Sequence, residues 1–174
     1  MLCHLTSLPE VSLDGALRFV EWLKHHGYSA WQMLPLTPPD EHGSPYASPS
    51  AFAAWPELMQ SEGAPSMKDE EDWLEDWALY AAIKEDHDHK PWFTWPLPLR
   101  NREPSALEAY REAAQHHRRR QQRFMAAWNQ LSTKANEAGI SLIGDIPIFI
   151  AHDSADVWAH RELFQLNENG WPEY

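Results

Sequence analysis

Residues 2 to 34 read as strand, helix and strand with almost no linker between them, and this order constrains the chain more than any other feature. LCHLTSL (2 to 8) has strand-like apolar spacing and is ended by Pro9. SLDGALRFVEWLKHHG then sets Leu13, Ala16, Leu17, Phe19, Val20 and Leu23 at helical spacing, with Ser12 or Asp14 available as N-cap and Gly27 as the stop. YSAWQML (28 to 34) is a short aromatic and apolar run closed by Pro35. A helix that carries the chain from one strand to the next is the βαβ unit of a parallel sheet, which places the chain in the α/β class.

The text from Pro35 to Pro56 is rich in turn formers, with prolines at 35, 38, 39, 45, 49 and 56 and several serines around Tyr46. A loop of this length in a compact domain is usually functional. SMKDEEDWLEDWALYAAIKE (66 to 85) predicts an acidic helix with Trp73, Trp77, Tyr80 and Ala81 on one face, and 86 to 100 an irregular connector. Ser105 and Glu108 have the spacing of a capping box, opening a helix that runs to about Ala138 and stops at Gly139. ISLIGDIPIFI (140 to 150) predicts a third strand broken at Gly144, Asp145 and Pro147. Asp153 is placed to cap a short helix over SADVWAH, and Asn169-Gly170 to make a turn. Three strands cannot close a barrel, which takes eight.

Composition excludes several functions. The chain has 174 residues, and 26 acidic against 14 basic side chains give a net charge of −12, which disfavours nucleic acid and anionic membrane surfaces as partners. Cys3 is the only cysteine, so no intrachain disulfide and no cysteine-based zinc cluster forms. The N-terminus lacks a basic and then apolar leader, and no run approaches a membrane span, so a soluble cytoplasmic protein is expected. HHRRRQQR (116 to 123) reads as the solvated face of a long helix, and DHDH (86 to 89) lacks a third ligand at metal spacing, so no metal site is expected. Of the ten tryptophans, Trp22, Trp73 and Trp77 lie at helical spacing and are expected in the core. No glycine-rich phosphate loop, GxSxG elbow or HExxH motif is present.

In parallel α/β folds the chemistry sits in loops at the carboxyl ends of strands. Two loops qualify: 35 to 55, with Ser44, Tyr46, Ser48 and Ser50, and 145 to 154, with Asp145, Asp153 and Ser154. Aromatic faces, hydroxyls and carboxylates are what a sugar-binding surface needs, since rings pack on pyranose faces and carboxylates accept from hydroxyls. Tyr46 lies between turn residues rather than in a periodic apolar face, which favours display over burial.

LTSLPE, WQMLPLTPPD, SPYASPSAFA, WPLPLR and above all GDIPIFIAHDSADVWAHRELFQLNENG resemble the N-terminal part of the 4-α-glucanotransferases, the amylomaltase or disproportionating-enzyme family of glycoside hydrolase family 77. The resemblance implies a partial (β/α)8 TIM barrel of about three strands with a reduced helical inserted subdomain. Its parts would be 1 to 55, the first βαβ portion with the sugar-facing loop; 56 to 104, the reduced insertion and connector; and 105 to 174, the long helix, third strand and following loop. It implies retaining transglycosylation of α-1,4-glucans and maltooligosaccharides by paired carboxylates about 5 to 5.5 Å apart, with no metal or organic cofactor.

Carried over by motif, Tyr46 and Asp153 would be substrate-binding, with Ser44 and Ser154 beside them. The nucleophile and the acid/base residue would lie beyond the matched part, so the chain is expected to be inactive alone and to depend on a second chain that completes the barrel. A non-catalytic glucan-binding module and a structural remnant are the alternatives. Departures from the family's pattern are the missing glycine-rich turn after TSLP, Trp55 in place of an asparagine, and a short segment from Pro56 to Trp73.

Overall fold

A computed structural model of the chain describes residues 1–59 and 72–173. Among them the order is α1 (Leu13–His25), β1 (Ala30–Gln32), α2 (Asp72–Asp86), α3 (Leu97–Arg100), α4 (Pro104–Glu108), α5 (Arg111–Glu137), β2 (Ser141–Ile143) and α6 (Ala155–Ala159), joined by loops and short 3-10 turns. The first residues of the helix expected over 66 to 85, and most of the segment between Pro56 and Trp73 that is expected to be a reduced insertion, lie outside the described residues.

β1 and β2 pair in parallel, with Ala30, Trp31 and Gln32 opposite Ser141, Leu142 and Ile143. The strand expected over 2 to 8 is instead a single parallel bridge from Leu2 to Gln32, after which Leu5–Ser7 turn into a 3-10 helix. The reason lies in the leucines, which recur at 2, 5 and 8. That period of three fits a 3-10 turn and not a pleated strand, and it sends Leu5 and Leu8 into the core together. β1 is therefore flanked on both sides and buries Trp31 fully, whereas Ser141 and Ile143 of β2 remain exposed.

α1 forms as its sequence requires. Ser12 Oγ accepts from the Gly15 amide at 2.9 Å, and Gly27 leaves the helix with φ at 75°. Gly15 has its own reason, because a Cβ there would stand 2.1 Å from the Glu10 carbonyl oxygen. The capping box at Ser105 does not form. Pro104 is the first residue of α4, which puts Ser105 inside the first turn rather than ahead of it, and Glu108 pairs with Arg111 at 2.6 Å instead. The expected single helix is broken at 109 and 110, and the Tyr110 hydroxyl donates to Asp86 at 2.7 Å.

α5 spans two apolar clusters. One gathers Leu23 of α1, Trp31 of β1 and Phe124, Leu131 and Ala135 of α5. The other gathers Trp77 and Tyr80 of α2 with Trp92, Trp95 and Trp158. Trp77 is buried as expected, but Trp22 is 42% exposed: it sits at the edge of the α1 stripe and stacks on Phe19, His26 and Tyr28.

The basic run of α5 is likewise not a plain solvated face. His117 and Gln121, one helical turn apart, point inward, while Arg118 pairs with Glu75 and Arg120 with Glu57. In the DHDH segment His87 meets the Ile83 carbonyl at 2.9 Å. Among the described residues no helix is long and apolar enough to cross a membrane.

Burial holds the His117 imidazole below its ordinary proton affinity, with Glu85, at 3.4 Å, acting in the opposite sense and His116 and Arg120 reinforcing the effect. Burial also lowers His4. In the unfolded chain these rings take up protons near pH 6.5, and in the folded chain only at lower pH, so protons favour unfolding. Their contribution is present above about pH 6.5 and is lost as pH falls through that value toward the folded pKa. The melting temperature is expected to drop between pH 7 and 5.5, and His117→Gln to flatten that slope; equal slopes in a calorimetric pH series would contradict this.

Candidate functional site

Because β1 and β2 run parallel, the loops that follow them leave the sheet side by side. Between them, Met33, Leu36, Phe52, Trp128 and Asp145 line a mostly apolar hollow of about 220 Å³. Tyr46 is half displayed at this rim, 41% exposed, and its hydroxyl donates to Asp145 Oδ2 at 2.7 Å. This bond joins the two loops directly. Asp145 also accepts from the Ile146 amide at 2.9 Å through its other oxygen. The hydrogen bond to Asp145 raises the proton affinity of the phenol, so Tyr46 stays a neutral aromatic face and donor.

The turn residues around Tyr46 act as a chain of local brackets. Asp40 Oδ1 accepts from the amides of His42 and Ser44 at 3.0 and 2.7 Å, Ser44 Oγ from Tyr46 at 3.3 Å, and Ser48 Oγ from Ser50 at 3.3 Å. Ser50 Oγ accepts from Phe52 and Ala53 at 3.1 Å each. Thr37 donates to the Pro45 carbonyl at 2.8 Å.

Two long-range clamps then fix the loop as a body. The Gln121 side chain both accepts from the Ala54 amide and donates to the Ala54 carbonyl, each at 2.9 Å. On the opposite side the Ala51 amide donates to Asp156 at 3.1 Å and the Ala155 amide to the Pro49 carbonyl at 2.8 Å. Burial raises the proton affinity of Asp156, partly offset by the amide it accepts from.

Of the sequence-predicted site residues, Tyr46 and Ser44 lie on one loop, with Ser44 bracketing the Tyr46 amide. Asp153 accepts from three groups: the Tyr80 hydroxyl at 2.8 Å, Lys84 Nζ at 2.5 Å and the Trp92 amide at 3.1 Å. It does not cap α6. That role falls to Ser154, which is fully buried and accepts from the Val157 amide at 3.2 Å.

Reading the sequence missed Tyr80 and Lys84 as partners of the site, whereas Asp156 is placed beside Asp153 by its motif. Tyr80 and Lys84 stand one turn apart on α2, a spacing that was visible, but nothing local pointed them at a residue some seventy positions away. Among the described residues no three histidine, cysteine, aspartate or glutamate side chains gather where they could hold a metal ion.

A parallel strand pair, with an exposed tyrosine bonded to a carboxylate across the loops at its carboxyl ends, defines a mixed helix and sheet protein of the α/β kind. The chain belongs to glycoside hydrolase family 77: the family model, described as 4-alpha-glucanotransferase, matches residues 3–64 and 59–172. It is 35% identical to the 4-alpha-glucanotransferase of Thermus thermophilus over 99% of this chain and 46% of that protein. It is 30% identical to the chloroplastic/amyloplastic 4-alpha-glucanotransferase of Solanum tuberosum over 99% of this chain and 42% of that protein. An amylomaltase from Streptococcus agalactiae, solved in complex with acarbose, superposes with a TM-score of 0.86 at 28% identity, covering 98% of this chain and 47% of that one. The chain thus spans just under half the length of these relatives.

Proposed function

We propose that the chain forms the first portion of a 4-α-glucanotransferase barrel and supplies part of its α-glucan cleft, with Tyr46 as the aromatic platform for a glucose ring. The bond from Tyr46 to Asp145 carries this reading, because it holds an exposed ring at the mouth of the parallel strands. Asp153 anchors the loop after β2 through Tyr80, Lys84 and Trp92, and Ser44 and Ser154 hold turns in the two loops. Transfer of α-1,4-glucan segments by a retaining double displacement is the reaction of the whole assembly, and the chain by itself is inactive. Three carboxylates support that: Asp145, Asp153 and Asp156 are each engaged by a donor of the chain.

A shortened helical insertion is supported by the two-piece family match, whose pieces meet at 59–64, and by the Thermus thermophilus alignment, which runs over 232 positions although this chain has 174 residues. The outer edge of β2 and the exposed side chains of Ile146, Ile148 and Phe149, at 77%, 87% and 83%, support a further strand-bearing polypeptide packed beside β2 to complete the barrel. The single cysteine, Cys3, accords with a reducing compartment such as the cytoplasm.

Calorimetric titration with maltoheptaose, together with a maltotriose disproportionation assay, tests the proposal. Tyr46→Ala is expected to weaken binding about tenfold, since stacking contributes roughly 0.5–1.5 kcal/mol beyond area burial. Tyr46→Phe, which keeps the ring and loses the bond to Asp145, should fall between. Unchanged binding in Tyr46→Ala would overturn the platform role. Longer oligosaccharides and glucose formed by the chain alone would overturn its inactivity.

A further inference from the structure

Arg100 closes α3, Arg102 follows two residues later, and Arg161 follows α6. We propose that these three arginines form a binding site for a phosphoryl group, carried either by inorganic phosphate or by a phosphate ester. The proposal stands apart from the glucan reading, since none of the three touches the strand-end rim.

Among the described residues five buried side-chain nitrogens lack a hydrogen-bond partner; besides His4 Nδ1 and Arg118 Nε they are Nε of Arg100, Nη1 of Arg102 and Nη2 of Arg161, one on each guanidinium of this group. Buried polar groups of this kind are rare, and each one needs an explanation. These side chains are not loose. Arg161 lies over the Trp92 ring at 4.5 Å and Arg102 over the Trp158 ring at 4.3 Å, and both indoles are fully buried. Arg100 Nη2 donates to the Asn169 carbonyl at 2.6 Å.

The three also share one patch: Arg100 holds the Asn169 carbonyl, the next residue, Gly170, lies against the Trp92 ring that carries Arg161, and Asp76, the partner of Arg102, lies 3.5 Å from His160 beside Arg161. Burial and then the charges of Arg100 and Arg102 lower the proton affinity of Arg161. A guanidinium does not lose its proton in a protein, so neutral arginine cannot relieve this crowding.

The protein's own acids do not relieve it either. Asp76 pairs with Arg102 and lies 3.5 Å from His160, so its charge is already shared. Among the described residues no carboxylate is within ion-pair distance of Arg100 or Arg161. In a chain with 26 acidic and 14 basic residues, two arginines without an ion pair among the described residues, beside a third, are a local arrangement and not a by-product of overall basicity. A carboxylate would offer two oxygens to three forks. A phosphoryl group offers three or more acceptors around one centre, and planar guanidinium forks match it.

The test uses the full chain, titrated with inorganic phosphate at constant ionic strength against chloride and followed by phosphorus NMR and calorimetry. Saturable binding is expected. Arg100→Gln and Arg161→Gln should each weaken it about tenfold or more, as loss of charge-assisted bonds implies. Arg119→Gln serves as the control, since Arg119 is an exposed α5 arginine whose Nε donates to the Gln115 carbonyl, and it should leave binding unchanged.

Titration with glucose 1-phosphate separates the two sources. Tighter binding than phosphate identifies an ester, and equal binding identifies the free anion. If circular dichroism shows Arg161→Gln to be unfolded, Arg161→Lys, which keeps a cation and loses the fork, is read in its place and should weaken phosphate severalfold. Absence of saturable binding, equal loss in Arg119→Gln, or no effect of the arginine variants in a folded chain overturns the proposal.

Discussion

Asp153→Ala is expected to destabilise the chain by about 2–4 kcal/mol, measured as the shift in urea midpoint at constant slope. The side chains of Asp153 and Lys84 are 31% and 17% exposed, so the ion pair is partly screened, and the figure is set below that for a fully buried pair. Most of the loss comes from what remains behind. Lys84, the Tyr80 hydroxyl and the Trp92 amide all lose the same acceptor at once. Asp153→Asn keeps an oxygen for two of these donors and leaves only the ammonium unpaired, so it should cost roughly half as much. A cost below about 0.5 kcal/mol for the alanine variant would show that the carboxylate is not structural.

Trp158→Ala should cost about 3–5 kcal/mol, the range for emptying a buried large aromatic site. Trp158 is fully buried, lies among Tyr80, Trp95 and Arg102, and donates its indole N–H to the Leu99 carbonyl at 3.0 Å. Because a small domain is stable by only about 5–15 kcal/mol, this one change uses much of the margin. Trp158→Phe preserves a ring under Arg102 but removes the indole donor from the Leu99 carbonyl, which keeps the Arg102 amide at 3.2 Å, and should cost about 1–2 kcal/mol. A chain whose melting temperature is unchanged by Trp158→Ala would contradict the packing described for the α2 cluster.

The parts of the fold that could be read in advance are those governed by neighbours in sequence. α1 shows its cap, its stripe and its terminal glycine within sixteen residues, and it forms accordingly. Tyr46 was legible as a displayed side chain because its surroundings hold turn residues and no apolar period.

The misreadings have physical sources too. The leucines at 2, 5 and 8 give an apolar spacing that resembles a strand, but their period is three. At 153 and 154 an aspartate and a serine compete for one helix cap, and the outcome depends on Lys84 and Tyr80, which hold the aspartate elsewhere. Pro104 displaced the start of α4 and so removed the use of Ser105 as a cap. The Tyr46–Asp145 bond could not be anticipated at all, because it depends on the register of β1 against β2. The arginine cluster likewise exists only once α3 and α6 have packed on the tryptophans.

The contacts that build the rim close long loops, second only to the pairing of β1 with β2 and its neighbours: Tyr46 to Asp145 spans 99 residues, and Ala51 to Asp156 spans 105. Contacts of such separation are entropically late, following α1, α2 and α5, whose bonds are local. The rim should therefore be among the last features to appear in refolding and among the first to be lost. A ligand seated there would leave the refolding rate nearly unchanged and act by slowing unfolding, so occupancy of the rim would set the lifetime of the folded chain.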